Sequence, residues 1–204
     1  MSTLVTGSAG FIGNALIRSL LAQGETVIGI DNLNDYYDVG LKKARLALIE
    51  DHPAYTDARM DLADGDAMAR LFDRERPTRV VNLAAQAGVR YSLENPRAYI
   101  NANIIGTFNV MECARRHKVQ HLLMASTSSV YGANEEMPFT EVEKADTQLT
   151  IYAATKKAGE AMAHSYAHLW DIPTTMFRFF TVYGPWGRPD MALFKFTDAI
   201  LKGK

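Results

Sequence analysis

Three glycines, Gly7, Gly10 and Gly13, follow a short apolar run at the beginning of the chain and constrain its fold more than any other feature. A tight glycine turn between a strand and a helix presents backbone N–H groups and the positive helix end to a pyrophosphate, with no side chain in the way. The spacing is G-x-x-G-x-x-G, and glycines alone would also fit an ordinary strand–helix turn. Because an acidic residue, Asp31, ends the next apolar run, we favour a nucleotide-binding turn.

Short β-branched runs alternate with longer amphipathic segments along the chain. This alternation predicts an α/β fold, in which a Rossmann-like, doubly wound parallel sheet of about six strands carries helices on both faces. The predicted strands are residues 2–6, 26–31, 54–61, 79–83, 122–125 and 174–179. The predicted helices are residues 11–23, 39–50, 66–75, 96–117, 152–170 and 191–201. Asp64 is the candidate cap of the third helix.

The bulk composition argues against several classes of function. With 204 residues, 48% of them hydrophobic, the chain can bury one substantial core, and its net charge of -1 gives no basic footprint for nucleic acid or an acidic membrane. No apolar run is long enough to span a bilayer, and no signal peptide is visible. The single cysteine, Cys113, cannot form an internal disulfide and fits a buried apolar position. These features predict a cytoplasmic location.

Asp31 indicates which dinucleotide the turn would bind. A carboxylate about 20 residues after the glycine turn can accept hydrogen bonds from the adenosine ribose hydroxyls, and its charge repels a 2′-phosphate. No arginine or lysine follows it before Lys42. We therefore predict NAD rather than NADP as the cofactor; the alternative is that Asp31 only begins a turn.

A second polar pattern lies further along the chain. Tyr152 and Lys156 are four residues apart on one face of a predicted helix, and a nearby cation favours the ionised form of a phenol, whose ordinary pKa is about 10. The segment 125–132, which supplies several hydroxyls, lies at the carboxyl end of the predicted fifth strand, at the edge of the sheet where ligands bind. Each pattern alone also fits a solvated helix face or a plain turn. Together the glycine turn, the hydroxyl-rich segment and the Tyr152–Lys156 pair, in this order along the chain, indicate an active site.

At this point the chain resembles a known family, the extended short-chain dehydrogenase/reductases, and within it the nucleotide-sugar epimerases. The glycine turn and the Tyr152–Lys156 pair identify only the broad superfamily, whereas Asn-Asp-Tyr-Tyr at 34–37 and Gly-Pro-Trp-Gly-Arg-Pro at 184–189 are far more selective. The segments that carry the resemblance are residues 5–13, 30–38, 85–92, 126–132, 152–156 and 178–190.

The resemblance implies a reaction and a role for each catalytic residue. The reaction is NAD-dependent 4-epimerisation of a UDP-hexuronic acid, UDP-glucuronate to UDP-galacturonate, through a transient 4-keto sugar. Tyr152 would take the proton of the sugar 4-hydroxyl, Lys156 would lower the pKa of Tyr152 and bind the nicotinamide ribose, and Thr127 would hydrogen-bond the same sugar oxygen. Asn103 matches a helix asparagine that supports the site.

The predicted site residues fall into two sets. The cofactor-binding residues are Gly7, Ala9, Gly10, Phe11, Ile12, Gly13, Asp31, Asn32, Asp61, Leu62, Leu83, Ala84, Ala85, Tyr152 and Lys156. The substrate-binding residues are Arg90, Thr127, Ser128, Ser129, Tyr152, Thr181 and Arg188. Arg188 is the best candidate to pair with the sugar carboxylate, because a guanidinium binds a planar carboxylate through two hydrogen bonds. No metal site is predicted, since His164 and His168 lack an evident third ligand.

Ser128 and Ser129 distinguish this chain from related enzymes. Sugar 4,6-dehydratases of the family carry Asp-Glu directly after the threonine, and UDP-glucuronate decarboxylases carry glutamate at the second position. With serine at both positions, acid–base work at C5 or C6 lacks its carboxylate, which favours an epimerase. Three alternatives stay open: UDP-glucose 4-epimerisation, another NAD-dependent nucleotide-sugar oxidoreductase, and NAD binding without turnover.

The resemblance also suggests how the chain is organised. Residues 1–204 would form an NAD-binding, Rossmann-like domain, with 180–204 as the start of the substrate-binding region. Most of the C-terminal substrate subdomain of longer family members would be missing, leaving an edge of the sheet uncovered. The family implies a homodimer formed through the two predicted helices 96–117 and 152–170.

Overall fold

The computed structural model describes residues 1–203, and it contains a six-stranded parallel sheet in the order β3-β2-β1-β4-β5-β6. The strands are β1 Ser2–Thr6, β2 Thr26–Asp31, β3 Tyr55–Arg59, β4 Arg79–Asn82, β5 His121–Thr127 and β6 Thr174–Phe179. From β1 the chain winds outward first to β2 and β3, and then in the other direction from β4 to β6. This reversal leaves a crevice at the carboxyl ends of β1 and β4. The predicted fold class is confirmed.

The described residues contain eight α-helices, of which seven lie between strands and one follows β6. They are α1 Phe11–Ala22, α2 Val39–Leu46, α3 Gly65–Glu75, α4 Tyr91–Glu94, α5 Pro96–Tyr99, α6 Thr107–Arg116, α7 Ile151–Trp170 and α8 Ala192–Leu201. The Asp64 side chain caps α3 as predicted, because its Oδ1 accepts a hydrogen bond from the Ala67 N–H at 2.9 Å. Thr150 caps α7 in the same way through the Ala153 N–H at 3.1 Å. None of these helices is long and apolar enough to cross a membrane.

Two apolar clusters cover the two faces of the sheet. Alternate side chains of a strand point to opposite faces, so Leu4 packs into one cluster and its neighbour Val5 into the other. The first cluster includes residues of α3, α6 and α7, and the second includes residues of α1 and α2. Burying a side chain of this size contributes about 1.5–3 kcal/mol. Cys113 lies in the first cluster, where burial raises its pKa to about 11, in keeping with the apolar role predicted for it.

The segment between residues 96 and 117 differs from the single helix predicted by the sequence pattern. A π-helical stretch, Ile100–Gly106, separates α5 from α6. The buried Asn103 in this stretch forms hydrogen bonds with the backbone of Gln86, outside the helix. The spacing of apolar residues along the chain does not reveal such contacts. The predicted helix 39–50 also ends early, at Leu46, and continues as turns.

β6 forms one edge of the sheet and pairs only with β5 among the described residues. The expected uncovered edge is therefore present. None of the ten residues of α8 is buried, and Phe196 and Leu201 are 67% and 82% exposed. Exposed apolar surface therefore follows β6 in the chain, within the range predicted to begin the substrate-binding region.

Candidate active site

The glycine turn after β1 requires glycine at more than one position. Gly7 has a φ of +76°, and a Cβ there would lie 3.1 Å from the backbone nitrogen of Ala84. A Cβ at Gly13 would lie 2.0 Å from the Gly7 carbonyl oxygen. Gly10 begins α1 with no side-chain cap, so the first N–H groups of the helix can face a ligand. The turn can therefore approach a pyrophosphate through its backbone.

Asp31 holds this turn against the loop that follows β2. Its Oδ2 accepts a hydrogen bond from the Ala9 N–H at 3.1 Å, and its Oδ1 accepts one from the Leu33 N–H at 2.8 Å. Each oxygen keeps a further lone pair for a ribose hydroxyl. Nearby, the Asn32 amide donates to Asp61 Oδ2 at 2.9 Å, which links the ends of β2 and β3. These carboxylates are positioned at one end of a large cavity.

The cavity runs from the glycine turn to α7 and the loop after β6, and its volume is about 610 Å³. Every predicted cofactor-binding and substrate-binding residue lines it except Ala9. The Ala9 side chain is fully buried in the second apolar cluster, and its backbone N–H and carbonyl bond to Asp31 and Arg45. The structure thus brings the two predicted residue sets into one space. The residues that line the cavity but were not predicted include Asn34, Tyr36, Tyr37, Lys42, Gln86, Asp190 and Lys195.

Thr127 and Tyr152 meet at the carboxyl end of β5. Thr127 is buried, and its Oγ1 accepts a hydrogen bond from the Ser129 N–H at 3.2 Å, which caps the short 3-10 helix Ser128–Tyr131. Burial raises the pKa of the Tyr152 phenol, against hydrogen bonding with the Thr127 hydroxyl and the positive charge of Arg188, which lower it. Without a further cation the phenol is therefore protonated at neutral pH.

Lys156 and Tyr152 line the same cavity, and the effect of Lys156 on the pKa of Tyr152 stays a prediction. Among the described residues, Arg188 is a cation that lowers the pKa of the Tyr152 phenol. Burial lowers the pKa of Lys156 itself to about 8, although the negative charge of Glu160 raises it in part. A sequence pattern gives the spacing of Tyr152 and Lys156 along the helix, but it cannot give the burial of either group.

Asn103 ties three segments together behind Tyr152. Its Oδ1 accepts a hydrogen bond from the Gln86 N–H at 2.8 Å, and its Nδ2 donates to the Gln86 carbonyl at 3.0 Å and to Thr155 Oγ1 at 3.0 Å. Thr155 in turn donates to the Tyr152 carbonyl at 2.9 Å. The π-helical stretch, the loop after β4 and α7 therefore share one buried network that fixes the backbone of Tyr152.

Arg188 forms an ion pair with Asp190 in the cavity wall. Its Nε donates to Asp190 Oδ1 at 3.0 Å and its Nη2 donates to Asp190 Oδ2. Burial would lower the pKa of Arg188, but this pairing and the charge of Asp190 raise it overall. Arg90 and Thr181, the other predicted contacts in the loops after β4 and β6, are exposed on the cavity wall. Asp190 was not predicted as a site residue, although its place two residues after Arg188 was a signal for it.

Arg45 is a fully buried cation that the sequence pattern did not distinguish from the polar face of α2. Its guanidinium donates to the Ala9 carbonyl at 3.1 Å, to the Tyr37 hydroxyl at 2.7 Å, and to the carbonyls of Trp186 and Gly187 at 2.7 and 3.2 Å. No carboxylate of residues 1–203 lies within ion-pair distance of it. Hydrogen bonds alone therefore compensate this charge, and they join the glycine turn to the loop that carries Arg188.

Glu160 joins α7 to the two strands beside it. It accepts a hydrogen bond from Ser126 Oγ at 2.6 Å, and both of its oxygens pair with Arg178 at 3.0 and 2.9 Å. The Arg178 guanidinium also lies over the Tyr131 ring, 4.8 Å from its centroid. This ion pair holds β5, β6 and α7 in register one helical turn beyond Lys156.

The described part of the chain contains no cluster of three or more His, Cys, Asp or Glu side chains that could hold a metal ion. The site is instead built from hydroxyl groups, a phenol, cations and backbone amides. Such a set can bind a dinucleotide beside an alcohol and move a proton to or from that alcohol.

Comparison with known proteins gives the family to which the chain belongs. The model of the NAD dependent epimerase/dehydratase family matches residues 3–204, and the chain belongs to this family. It is 53% identical over 204 residues to a probable UDP-glucuronate 4-epimerase of Rhizobium meliloti (strain 1021), covering 100% of this chain and 60% of that protein. It is 49% identical to UDP-glucuronate 4-epimerase 1 of Arabidopsis thaliana, covering 100% of this chain and 48% of the plant protein.

A solved structure shares the fold over the whole chain. The crystal structure of UDP-glucuronic acid 4-epimerase from Bacillus cereus, in complex with UDP-glucuronic acid and NAD, superposes with a TM-score of 0.93 at 34% identity. The match covers 100% of this chain and 64% of that one. The chain thus spans about 60% of the length of the bacterial relatives it matches.

Proposed function

We propose that this chain supplies the NAD-binding and catalytic part of a nucleotide-sugar 4-epimerase that converts UDP-glucuronate into UDP-galacturonate. One observation carries the proposal: a single cavity is lined by the glycine turn, by Asp31 and by the group Thr127, Tyr152 and Arg188. A dinucleotide and an alcohol bound there would lie side by side. The two relatives and the solved structure described above, all named for this activity, support the same reaction.

The residues present fit NAD. Gly7 and Gly13 allow a turn so tight that a Cβ at either position would meet neighbouring backbone, and Asp31 offers acceptors to ribose hydroxyls. Lys42 lines the same cavity, but its Nζ donates to the Asn34 carbonyl at 2.6 Å and to Asn34 Oδ1 at 2.7 Å, so only one of its three N–H donors remains for a 2′-phosphate. When bound, NAD supplies a ring that accepts and returns a hydride at the sugar C4.

Side chains of this protein would bind the oxygen of the sugar 4-hydroxyl and transfer its proton. Thr127 would hold the sugar 4-oxygen, and Tyr152 would accept its proton as the hydride leaves C4, then return it after the 4-keto sugar has turned over. Because burial raises the pKa of Tyr152 despite the charge of Arg188, Lys156 and the positively charged nicotinamide of bound NAD would be the further cations that favour the phenolate form. Ser128 and Ser129 supply hydroxyls but no carboxylate, so proton transfer at C5 or C6 has no agent beside Thr127.

Further parts of the proposal concern the organisation of the chain. We assign residues 1–204 to an NAD-binding domain, with 180–204 as the beginning of the substrate-binding region; Lys204 lies outside the described residues. A homodimer through α6 and α7 is supported by exposed apolar side chains on them, among which Phe108 is 45% and Leu169 is 62% exposed.

The test uses the purified chain. After denaturation, the released nucleotide should be NAD, and incubation with NAD and UDP-glucuronate should form UDP-galacturonate without accumulation of NADH. NADH formed in proportion to product would instead identify a net oxidoreductase. NAD binding with no product would restrict the function of this chain to cofactor binding, and absence of NAD binding would contradict the proposal.

A second candidate reaction is 4-epimerisation of a neutral sugar, UDP-glucose. The observation that favours it is the pairing of Arg188 with Asp190, because this ion pair as a whole has no net charge with which to attract a uronate. Parallel assays with UDP-glucose and UDP-glucuronate separate the two candidates, because the better substrate has the higher kcat/KM.

A further inference from the structure

Charged side chains are distributed unevenly along the cavity wall. The end near Tyr152, formed by α7 and the loops after β4 and β6, is lined by four cations: Arg90, Lys156, Arg188 and Lys195. The acidic residues Asp31 and Asp61 line the other end, after β2 and β3. Among the described residues, Asp190 is therefore the one carboxylate lining the cationic end. A carboxylate at this end would repel an anionic ligand, so a specific role for Asp190 is expected.

The geometry of Asp190 suggests what this acid does. Its two oxygens take two hydrogen bonds from one edge of the Arg188 guanidinium, which is the arrangement predicted above for a sugar carboxylate. The Tyr36 hydroxyl donates to Asp190 Oδ2 at 3.3 Å and holds the carboxylate from the other side. The side chains of Arg188 and Asp190 are only 24% and 27% exposed, so solvent screens their charges weakly.

We propose that Asp190 determines how strongly the site discriminates acidic from neutral sugars, because it competes with a sugar carboxylate for the Arg188 guanidinium. This inference rests on the proposed function. With Asp190 in place, the empty site avoids an unpaired, partly buried cation. A uronate must then share Arg188 with Asp190 and is repelled by it, whereas a neutral hexose is not.

The substitution that tests the inference is Asp190→Asn, which keeps the size and one acceptor oxygen but removes the charge. Dissociation constants of UDP-glucuronate and UDP-glucose are measured by calorimetry with NAD present. We expect the ratio of the UDP-glucose constant to the UDP-glucuronate constant to rise about tenfold. If Asp190 only orients Arg188 for the sugar, the ratio will fall, and an unchanged ratio would equally overturn the inference.

Two further variants make the result specific. Asp198→Asn removes a carboxylate that pairs with Lys202 at 2.8 Å outside the cavity, and it should leave the ratio unchanged. In an Arg188→Met background, Asp190→Asn should no longer raise the ratio, because the two residues act through one contact. A rise that persists without Arg188 would contradict the mechanism. If neither nucleotide sugar binds, the proposed function fails as well, and binding of both with no change of ratio overturns this inference alone.

Discussion

Asn103 forms two hydrogen bonds with the backbone of Gln86, one accepted and one donated, as a neighbouring strand would. The loop after β4 has no strand partner at this point, so the amide of Asn103 satisfies its N–H and carbonyl inside the protein. Because Asn103 also contacts Thr155, the position of α7 depends on the same side chain.

We expect Asn103→Leu to lower the free energy of unfolding by about 2–4 kcal/mol, since it leaves the buried N–H and carbonyl of Gln86 without partners and removes the hydrogen bond that Thr155 accepts. Urea unfolding followed by circular dichroism measures this change. Asn109→Leu is the matched control, because Asn109 makes one hydrogen bond, to the Leu62 carbonyl at 2.8 Å, and should cost about 1 kcal/mol. Equal losses in the two variants would contradict the special role of the Asn103 network.

Gly13→Ala should weaken NAD binding at least about tenfold, because its Cβ would lie 2.0 Å from the Gly7 carbonyl oxygen and would push the turn away from α1. Titration with NAD measures the dissociation constant. Gly159→Ala is the control within α7, where the nearest atom, Thr107 Cγ2, lies 3.9 Å from the added Cβ. Its NAD affinity should equal that of the unchanged chain, and an unaffected Gly13→Ala protein would argue against a pyrophosphate at this turn.

Tyr152→Phe should reduce epimerisation by about 10³-fold, since it removes the group that exchanges the proton with the sugar oxygen, while NAD binding persists. Product formation and NAD titration are compared in the same preparation. Tyr166→Phe, on the same helix, loses a hydrogen bond to Glu112 at 2.6 Å outside the cavity and should keep its activity. Full activity in Tyr152→Phe would assign the proton transfer to another residue.

Lys156 should make the stability of the protein depend on pH between about 8 and 10.5. Its pKa in the folded chain is about 8, below the ordinary value of 10.5, so the unfolded chain binds more protons in this window and stability rises with pH. Lys156→Met should therefore stabilise the chain at pH 7, by at most about 3 kcal/mol, and the advantage should disappear near pH 10.5. Urea unfolding of both proteins at the two pH values gives the difference. A difference that does not change with pH would show that Lys156 is not destabilised by burial.

Local sequence signals predicted most of the fold. β1, β2 and β6 begin and end at the predicted residues, because β-branched runs bounded by turn residues define a buried parallel strand. Asp64 was identifiable as a cap because capping is a short-range contact. The π-helical stretch was not identifiable, and its Asn103 bonds to Gln86, which lies 17 residues away in the chain and outside any local pattern.

The sequence predicted which residues line the site better than it predicted the contacts that these residues make. Glycine, Asp31 and the Tyr152–Lys156 pair have fixed spacings that a sequence displays directly. The pairing of Arg188 with Asp190 depends on rotamers, and the contact of Arg45 with Trp186 joins residues 141 positions apart. Burial of Lys156 and Tyr152, which sets the direction of both pKa changes, is likewise a property of the packed molecule.

The buried guanidinium of Arg45 affects local unfolding of the loop around Trp186. Its donors reach Ala9 near the beginning of the chain and Trp186 near its end. If the loop around Trp186 detached alone, a full charge would be left in an apolar interior with part of its hydrogen bonding lost. Fraying of this loop should therefore be suppressed, and its amide hydrogens should exchange together with those of the glycine turn, as parts of one cooperative unit.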